Sequence, residues 1–175
     1  ALLRISMALP AYPDLENLLD YISSEIKRLL NTEGALVILL DEERNELFFK
    51  GAAYDDITKE ERIKEIRFPA KKGVAAKVLR TGEPIIVPDT SKDPDFYPVV
   101  DEQLQFHTRN MLDVPLRSGD RVIGILSALN KKEGTFEQRA FELLSMIGGT
   151  VKKSSINAII SKIVMQGCDV GISLN

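Results

Sequence analysis

The chain has 175 residues, enough for one domain, and 44% of them are hydrophobic, which suffices for a real core. Its formal net charge of −3, with the signs interleaved, gives it no particular affinity for nucleic acid or an anionic membrane. A single cysteine, Cys168, excludes an internal disulfide and suits a reducing, cytoplasmic setting, and no apolar run approaches the roughly 18 residues of a membrane span.

The chain begins at Ala1 without Met and shows no signal-peptide pattern, so an excised piece that once had neighbours is expected. Residues 1–13 read as a helical lead-in. Asp14 is the expected N-cap of a first helix, because Leu15, Leu18, Leu19, Ile22, Ile26, Leu29 and Leu30 then recur at helical spacing and give one apolar face. Gly34 is expected to end the following linker. Ala35 to Leu40 is a continuous apolar strand, and Leu47 to Tyr54 a second, joined by the polar run Asp41 to Glu46 as a hairpin. Thr58 with Glu61 has the pattern of a capping box for a short helix, and Ile66 to Phe68 can form a strand edge before Pro69.

Gly73 to Thr81 predicts a short helix with Val74, Val78 and Leu79 inward and Gly82 as its C-cap; Pro84 blocks its continuation, and Ile85 to Val87 is a strand. From Pro88 to Asn110 the chain is rich in turn chemistry, and so long a polar connection inside a small domain is more often functional than idle. Met111 to Leu116 and Val122 to Leu129 are two largely apolar strands, joined at Ser118-Gly119-Asp120 and expected at the centre of a sheet. Thr135 and Gln138 then cap a long helix from Glu137 to at least Ala158.

That helix changes phase. Ala140, Phe141, Leu144, Ile147 and Val151 form one stripe, and Ile156, Ile159, Ile160 and Ile163 form another that one sheet face cannot also cover. The second stripe predicts a homodimer through the terminal helices; the alternative is that the tail packs on the first helix of its own chain.

Several chemical motifs fail on inspection. Gly149 to Ser154 is similar to a phosphate loop but lacks Gly directly before Lys-Ser. Asp89, Ser91, Asp93 and Asp95 alternate like a calcium loop, yet Pro94 and Val100 stand where Gly and Glu are required, so Asx-capped turns explain them better. His107 is the only histidine, with no second base or thiol near it, which argues against a metal site or a triad and favours a solvated or rim residue, a lone haem ligand being the alternative. The basic pairs Lys71-Lys72, Lys131-Lys132 and Lys152-Lys153 lack interleaved aromatics and read as solvated faces. No catalytic residue, metal or cofactor is predicted.

The combination of Gly73 and its apolar helix with Thr81-Gly82-Glu83-Pro84, Pro88-Asp89, Thr108-Arg109-Asn110, Val114-Pro115-Leu116, Val122-Ile123-Gly124 and Asn130-Lys131 resembles the GAF family of small-molecule sensor and dimerisation domains. The resemblance implies an α/β (α+β) fold over residues 14–158. It has a central antiparallel sheet of about six strands, terminal helices on one face and a loop-covered pocket on the other. Phe96 to Asn110 looks most like the nucleotide-binding domains of phosphodiesterases. Carried over by position, Ala75, Tyr97, Asp101 and Thr108 are implied to line the ligand pocket.

The resemblance also implies the role: a regulatory, non-enzymatic module sensing an unknown small molecule. Residues 159–175 would be a helical linker to an attached output domain, such as a kinase, a cyclase, a transcription activator or a phosphotransferase. The rival readings are a dimerisation module whose pocket is plugged by Leu104, Phe106 and Met111, and a redox enzyme of the same fold, which one thiol at Cys168 does not suit.

The departures generate a first prediction. Ala52-Ala53 replaces a Phe-Asp pair of the binding relatives, Ser127 replaces an acid, and Ala140-Phe141 replaces the acidic pair expected to hold Lys131. Three lost polar contacts of roughly 1 kcal/mol each weaken binding about a hundredfold. Isothermal titration is expected to find no binding of cyclic GMP or cyclic AMP tighter than about 10 μM.

Overall fold

The computed structural model describes residues 15–149. The Asp14 cap, the lead-in over residues 1–13, the isoleucine stripe from Ile156 to Ile163, Cys168 and the linker over residues 159–175 lie outside the described residues.

In chain order the elements are α1 (Leu15–Leu30), β1 (Thr32–Asp41), β2 (Glu46–Tyr54), α2 (Ile57–Ile63), β3 (Arg67–Pro69), α3 (Gly73–Thr81), β4 (Ile85–Val87), α4 (Val99–Leu104), β5 (Met111–Ser118), β6 (Arg121–Lys131) and α5 (Gln138–Gly149). The strands form one antiparallel six-stranded sheet in the order β3-β2-β1-β6-β5-β4. β1 and β6 sit at the centre and are covered on both faces, which is why both read as nearly unbroken apolar runs.

Side-chain alternation splits the interior into two cores. On one face α1 lays Leu18, Leu19, Ile22, Ile26 and Leu30 against Ala35 and Val37 of β1, with Ala140, Leu144 and Ile147 of α5 beside Leu112, Val114 and Leu126. On the other face Leu36 and Ile38 of β1 meet Phe49, Val74, Val78, Leu104, Met111, Ile125 and Leu129. Strand geometry requires this, since neighbours along β1 point to opposite faces.

Two local expectations are corrected. Gly34 is inside β1 and pairs with both Tyr54 and Leu129 instead of ending a linker. The cap of α2 is Asp56, whose carboxylate accepts the Thr58 N–H at 3.0 Å and the Thr58 hydroxyl at 2.6 Å; an acid two residues earlier outcompetes Thr58 for that role. Gly82 is the left-handed C-cap of α3 as expected, at φ 71°.

Helix α1 approaches the sheet closely where β2 carries Gly51. A Cβ there would meet the Leu19 carbonyl oxygen at 2.7 Å and its carbonyl carbon at 2.8 Å, both backbone atoms that cannot rotate away. Gly51→Ala is therefore expected to destabilise the domain by about 1–3 kcal/mol, as overpacking does. Urea denaturation monitored by circular dichroism measures it, with an unchanged slope showing that only stability moved.

Candidate functional site

On the sheet face opposite α1 and α5, helices α2, α3 and α4 leave a cavity of about 70 Å³. Its sheet wall is Leu36, Ile38, Phe49, Met111, Asp113, Ser127 and Leu129, and its roof is Val74 and Ala75 of α3 with Tyr97, Val100, Asp101 and Leu104. Phe68 packs near Phe49 at 5.6 Å between ring centroids and stacks on Tyr97 at 6.1 Å and 27°. Gly73 opens α3 against this roof at φ 89°, where a Cβ would come within 3.2 Å of the Tyr97 Cβ, so glycine serves both the turn and the approach.

The roof is fastened by polar contacts. Asp101 accepts the Thr108 N–H at 2.7 Å and the Thr108 hydroxyl at 2.8 Å, tying α4 to the segment that leads into β5. Thr90 donates to the Thr108 carbonyl at 2.6 Å. Lys59 and Arg62 of α2 donate to the carbonyls of Leu104 and Gln103 at 3.1 and 2.6 Å, where α4 ends. Asp89 and Asp93 accept from Ser91 and from the Asp95 N–H, so these carboxylates act as Asx caps. The exposed His107 presents its carbonyl to the Asn130 side chain at 2.8 Å.

Ala75, Tyr97, Asp101 and Thr108, the four implied pocket residues, all border this one cavity. Leu104 and Met111 border it too, whereas Phe106 turns to the Tyr54 ring, edge-on at 5.1 Å. Lys131 is not left without a partner: its ammonium donates to the Leu30 carbonyl at 2.7 Å and caps the C-terminus of α1.

Asp113 is the residue that pattern reading missed. It is 0% exposed, one carboxyl oxygen accepts the Ser127 hydroxyl across the β5–β6 pair, and the other has no partner among the described residues. Burial pushes its pKa up to about 7, with the Ser127 hydrogen bond pulling the other way. Burial likewise raises Asp101, opposed by the hydrogen bonds from Thr108 and by the charge of His107. Burial also raises the Tyr54 hydroxyl, with Asp101 and Glu60 adding to the effect. The signal was a lone acid in the strand Met-Leu-Asp-Val-Pro-Leu, which alternation places on the cavity face with Met111.

An antiparallel sheet with helices on both faces and a cavity beneath one helical layer is an α/β architecture that known proteins share. The GAF domain family matches residues 14–153, so the chain belongs to the GAF domain family. A probable 3',5'-cyclic phosphodiesterase pde-5 of Caenorhabditis elegans is 27% identical over 70% of this chain, which spans 18% of that relative. The GAF domain of a Coxiella burnetii phosphoenolpyruvate-protein phosphotransferase superposes with a TM-score of 0.69 at 17% identity, covering 95% of this chain and 94% of that one. The free methionine-R-sulfoxide reductase of Neisseria meningitidis, solved in complex with its substrate, superposes with a TM-score of 0.63 at 18% identity over 95% and 89%. GAF domains are generally regulatory and commonly sense ligands within multidomain signalling proteins. Among the described residues no helix is long and apolar enough to cross a membrane.

Asp113 also sets a pH dependence. An unfolded aspartate loses its proton near pH 4, whereas the folded one keeps it to about pH 7. The folded state therefore binds more protons between those values, and this contribution to stability is full below pH 4 and lost as pH rises to 7. Asp113→Asn cannot titrate. Its stability relative to the unsubstituted protein should improve by up to about 4 kcal/mol from pH 4 to pH 8, measured by thermal melts across that range.

Proposed function

We propose that this domain is a regulatory small-molecule sensor, not an enzyme, that passes a ligand signal through its terminal helices to an attached output domain. The observation that carries the reading is the roofed cavity with a buried, half-satisfied carboxyl, set on the sheet face opposite the terminal helices. A ligand there would touch β1, β5 and β6, whose other faces pack on α1 and α5, so the small adjustments of the packed sheet that accompany movement of the roof would reach both helices. Ala75, Tyr97, Asp101 and Thr108 are the ligand-facing residues in this proposal, with Asp113 and Ser127 beneath them. The linker over residues 159–175, the homodimer through Ile156, Ile159, Ile160 and Ile163, and the cytoplasmic setting belong to the same proposal and rest on the sequence pattern. The output domain is a kinase, cyclase, transcription activator or phosphotransferase.

A second reading draws on the cavity's size. At about 70 Å³ it is well below the roughly 300–1,000 Å³ of pockets that enclose drug-sized ligands, which favours a dimerisation module with a closed pocket. A thermal-shift screen of small metabolites, run beside Ala75→Leu, separates the two. The sensor reading expects at least one compound to raise the melting temperature of the natural chain and not of Ala75→Leu, whose added carbons occupy the cavity. A screen with no such compound, together with a dimer in light scattering, establishes the second reading; a monomer removes the dimer from both.

A further inference from the structure

We propose that the cavity is built for a small planar organic cation of the amidinium class, held by the Asp113 carboxyl with Ser127 beside it. This deepens the sensor reading and rests on it.

The first ground is the open valence of Asp113. As a carboxylate, its free oxygen is a buried acceptor with no donor among the described residues; as a neutral acid, that oxygen is either a hydroxyl with no acceptor or a carbonyl with no donor there. Either state leaves a buried polar group unsatisfied, which costs about 1–3 kcal/mol and is rare enough in folded proteins to require a reason. A donor arriving from the cavity supplies it.

The second ground is the sign of the charge. The described residues bordering the cavity include two carboxyls, Asp101 and Asp113, and no Lys, Arg or His. Thr108 already satisfies Asp101 with two hydrogen bonds, so Asp113 is the one with capacity to spare. No side-chain cation stands there to neutralise an anionic ligand, whereas a cation gains a charge-assisted bond. The rest of the lining, with Leu36, Phe49 and Phe68 among it, is apolar and partly aromatic, which suits a flat body.

The third ground is geometry. An amidinium presents two parallel N–H donors in one plane, and a carboxylate accepts both. Ser127 already occupies one direction on the first oxygen through its hydroxyl, which fixes the carboxyl plane while a second lone pair and the free oxygen remain. The volume of about 70 Å³ admits only a few non-hydrogen atoms, so acetamidine fits as the cavity stands and benzamidine requires the roof to give.

The competing occupant is an anion at the first turn of α3, since Gly73 opens that helix beside the cavity and helix N-termini attract negative charge. Isothermal titration with acetamidine and benzamidine, and with benzoate as the rival probe, tests the choice on the natural chain, Asp113→Asn, Ser127→Ala and Ala75→Leu. The expected result is saturable binding of an amidine, weakened about tenfold or more by Asp113→Asn, less by Ser127→Ala, and abolished by Ala75→Leu. Chemical shifts of the Asp113 and Ser127 amides should move with the amidine in the natural chain, a readout that does not depend on any variant folding. Benzoate binding in place of amidines overturns the proposal, as does amidine binding that Asp113→Asn leaves unchanged. If neither amidine binds but the metabolite screen yields a compound sensitive to Ala75→Leu, the ligand class is wrong and the sensor reading stands. If nothing binds at all, both fall.

Discussion

The fold turns on a single buried amide. Asn130, one residue before the end of β6, is in the left-handed conformation, at φ 58°, and is 0% exposed. Its side-chain oxygen accepts the N–H groups of Arg109 and Asn110 at 2.6 and 3.2 Å, while its nitrogen donates to the His107 carbonyl at 2.8 Å and to Glu33 at 3.2 Å. Its own N–H reaches the Asn110 carbonyl at 2.9 Å, and the Asn110 side chain accepts the Lys131 N–H at 2.9 Å. Residues 107–110 are thereby sewn to the end of β6. Asparagine suits this place because it tolerates the left-handed region and carries donor and acceptor on one short arm.

The site depends on that clamp. Fixing residues 107–110 fixes Thr108, and Thr108 in turn holds Asp101 and with it α4. The same register starts β5, so that Met111 and Asp113 face the cavity while Leu112 and Val114 face α5. The next residue after Asn130, Lys131, reaches the last carbonyl of α1. One turn of chain at the end of β6 therefore sets the roof, the acidic floor and the seat of the first helix together.

The apolar pattern is enough to read the sheet and both of its faces. β1 and β6 are nearly unbroken apolar runs because both of their faces are covered, and α1 shows its stripe because only one of its faces is. Gly82 and Pro84 punctuate α3 unambiguously. The errors are of a different kind. Thr58 and Asp56 both suit a cap, and which one accepts the first amides depends on the backbone entering α2, a contest one residue's identity does not settle. Asp113 escapes notice because its apolar neighbours make the strand look uniformly buried, and burial of an acid is visible only once its partner Ser127 is found fourteen positions on, across a strand pair. Lys131 lacks the acidic pair expected where Ala140-Phe141 stand, yet its acceptor is a backbone carbonyl 101 residues away. Pattern reveals burial; it does not reveal which polar atoms meet across the sheet.

The sheet wall and the outer edge of the roof are held by different forces, and the proposed switching rests on that separation. The sheet wall is locked by ladder hydrogen bonds and by two apolar cores, so deforming it costs many contacts at once. The roof segment shares the second core through Val74 and Leu104, and its outer edge hangs on discrete polar contacts: Lys59 and Arg62 at the end of α4, Asp101 with Thr108, and the exposed pair Lys77–Asp95. Partly exposed contacts of this kind contribute little each, and water replaces them at small cost when they open. Tyr97 and Phe96, half-buried, add the apolar component that closes the roof again. In the proposed sensor a ligand would shift the roof between a closed and an opened arrangement, at the cost of these fastenings and of the apolar contacts beneath them. Asp113 adds the bias: unsatisfied when the cavity is closed and empty, it favours whichever arrangement brings a donor to it.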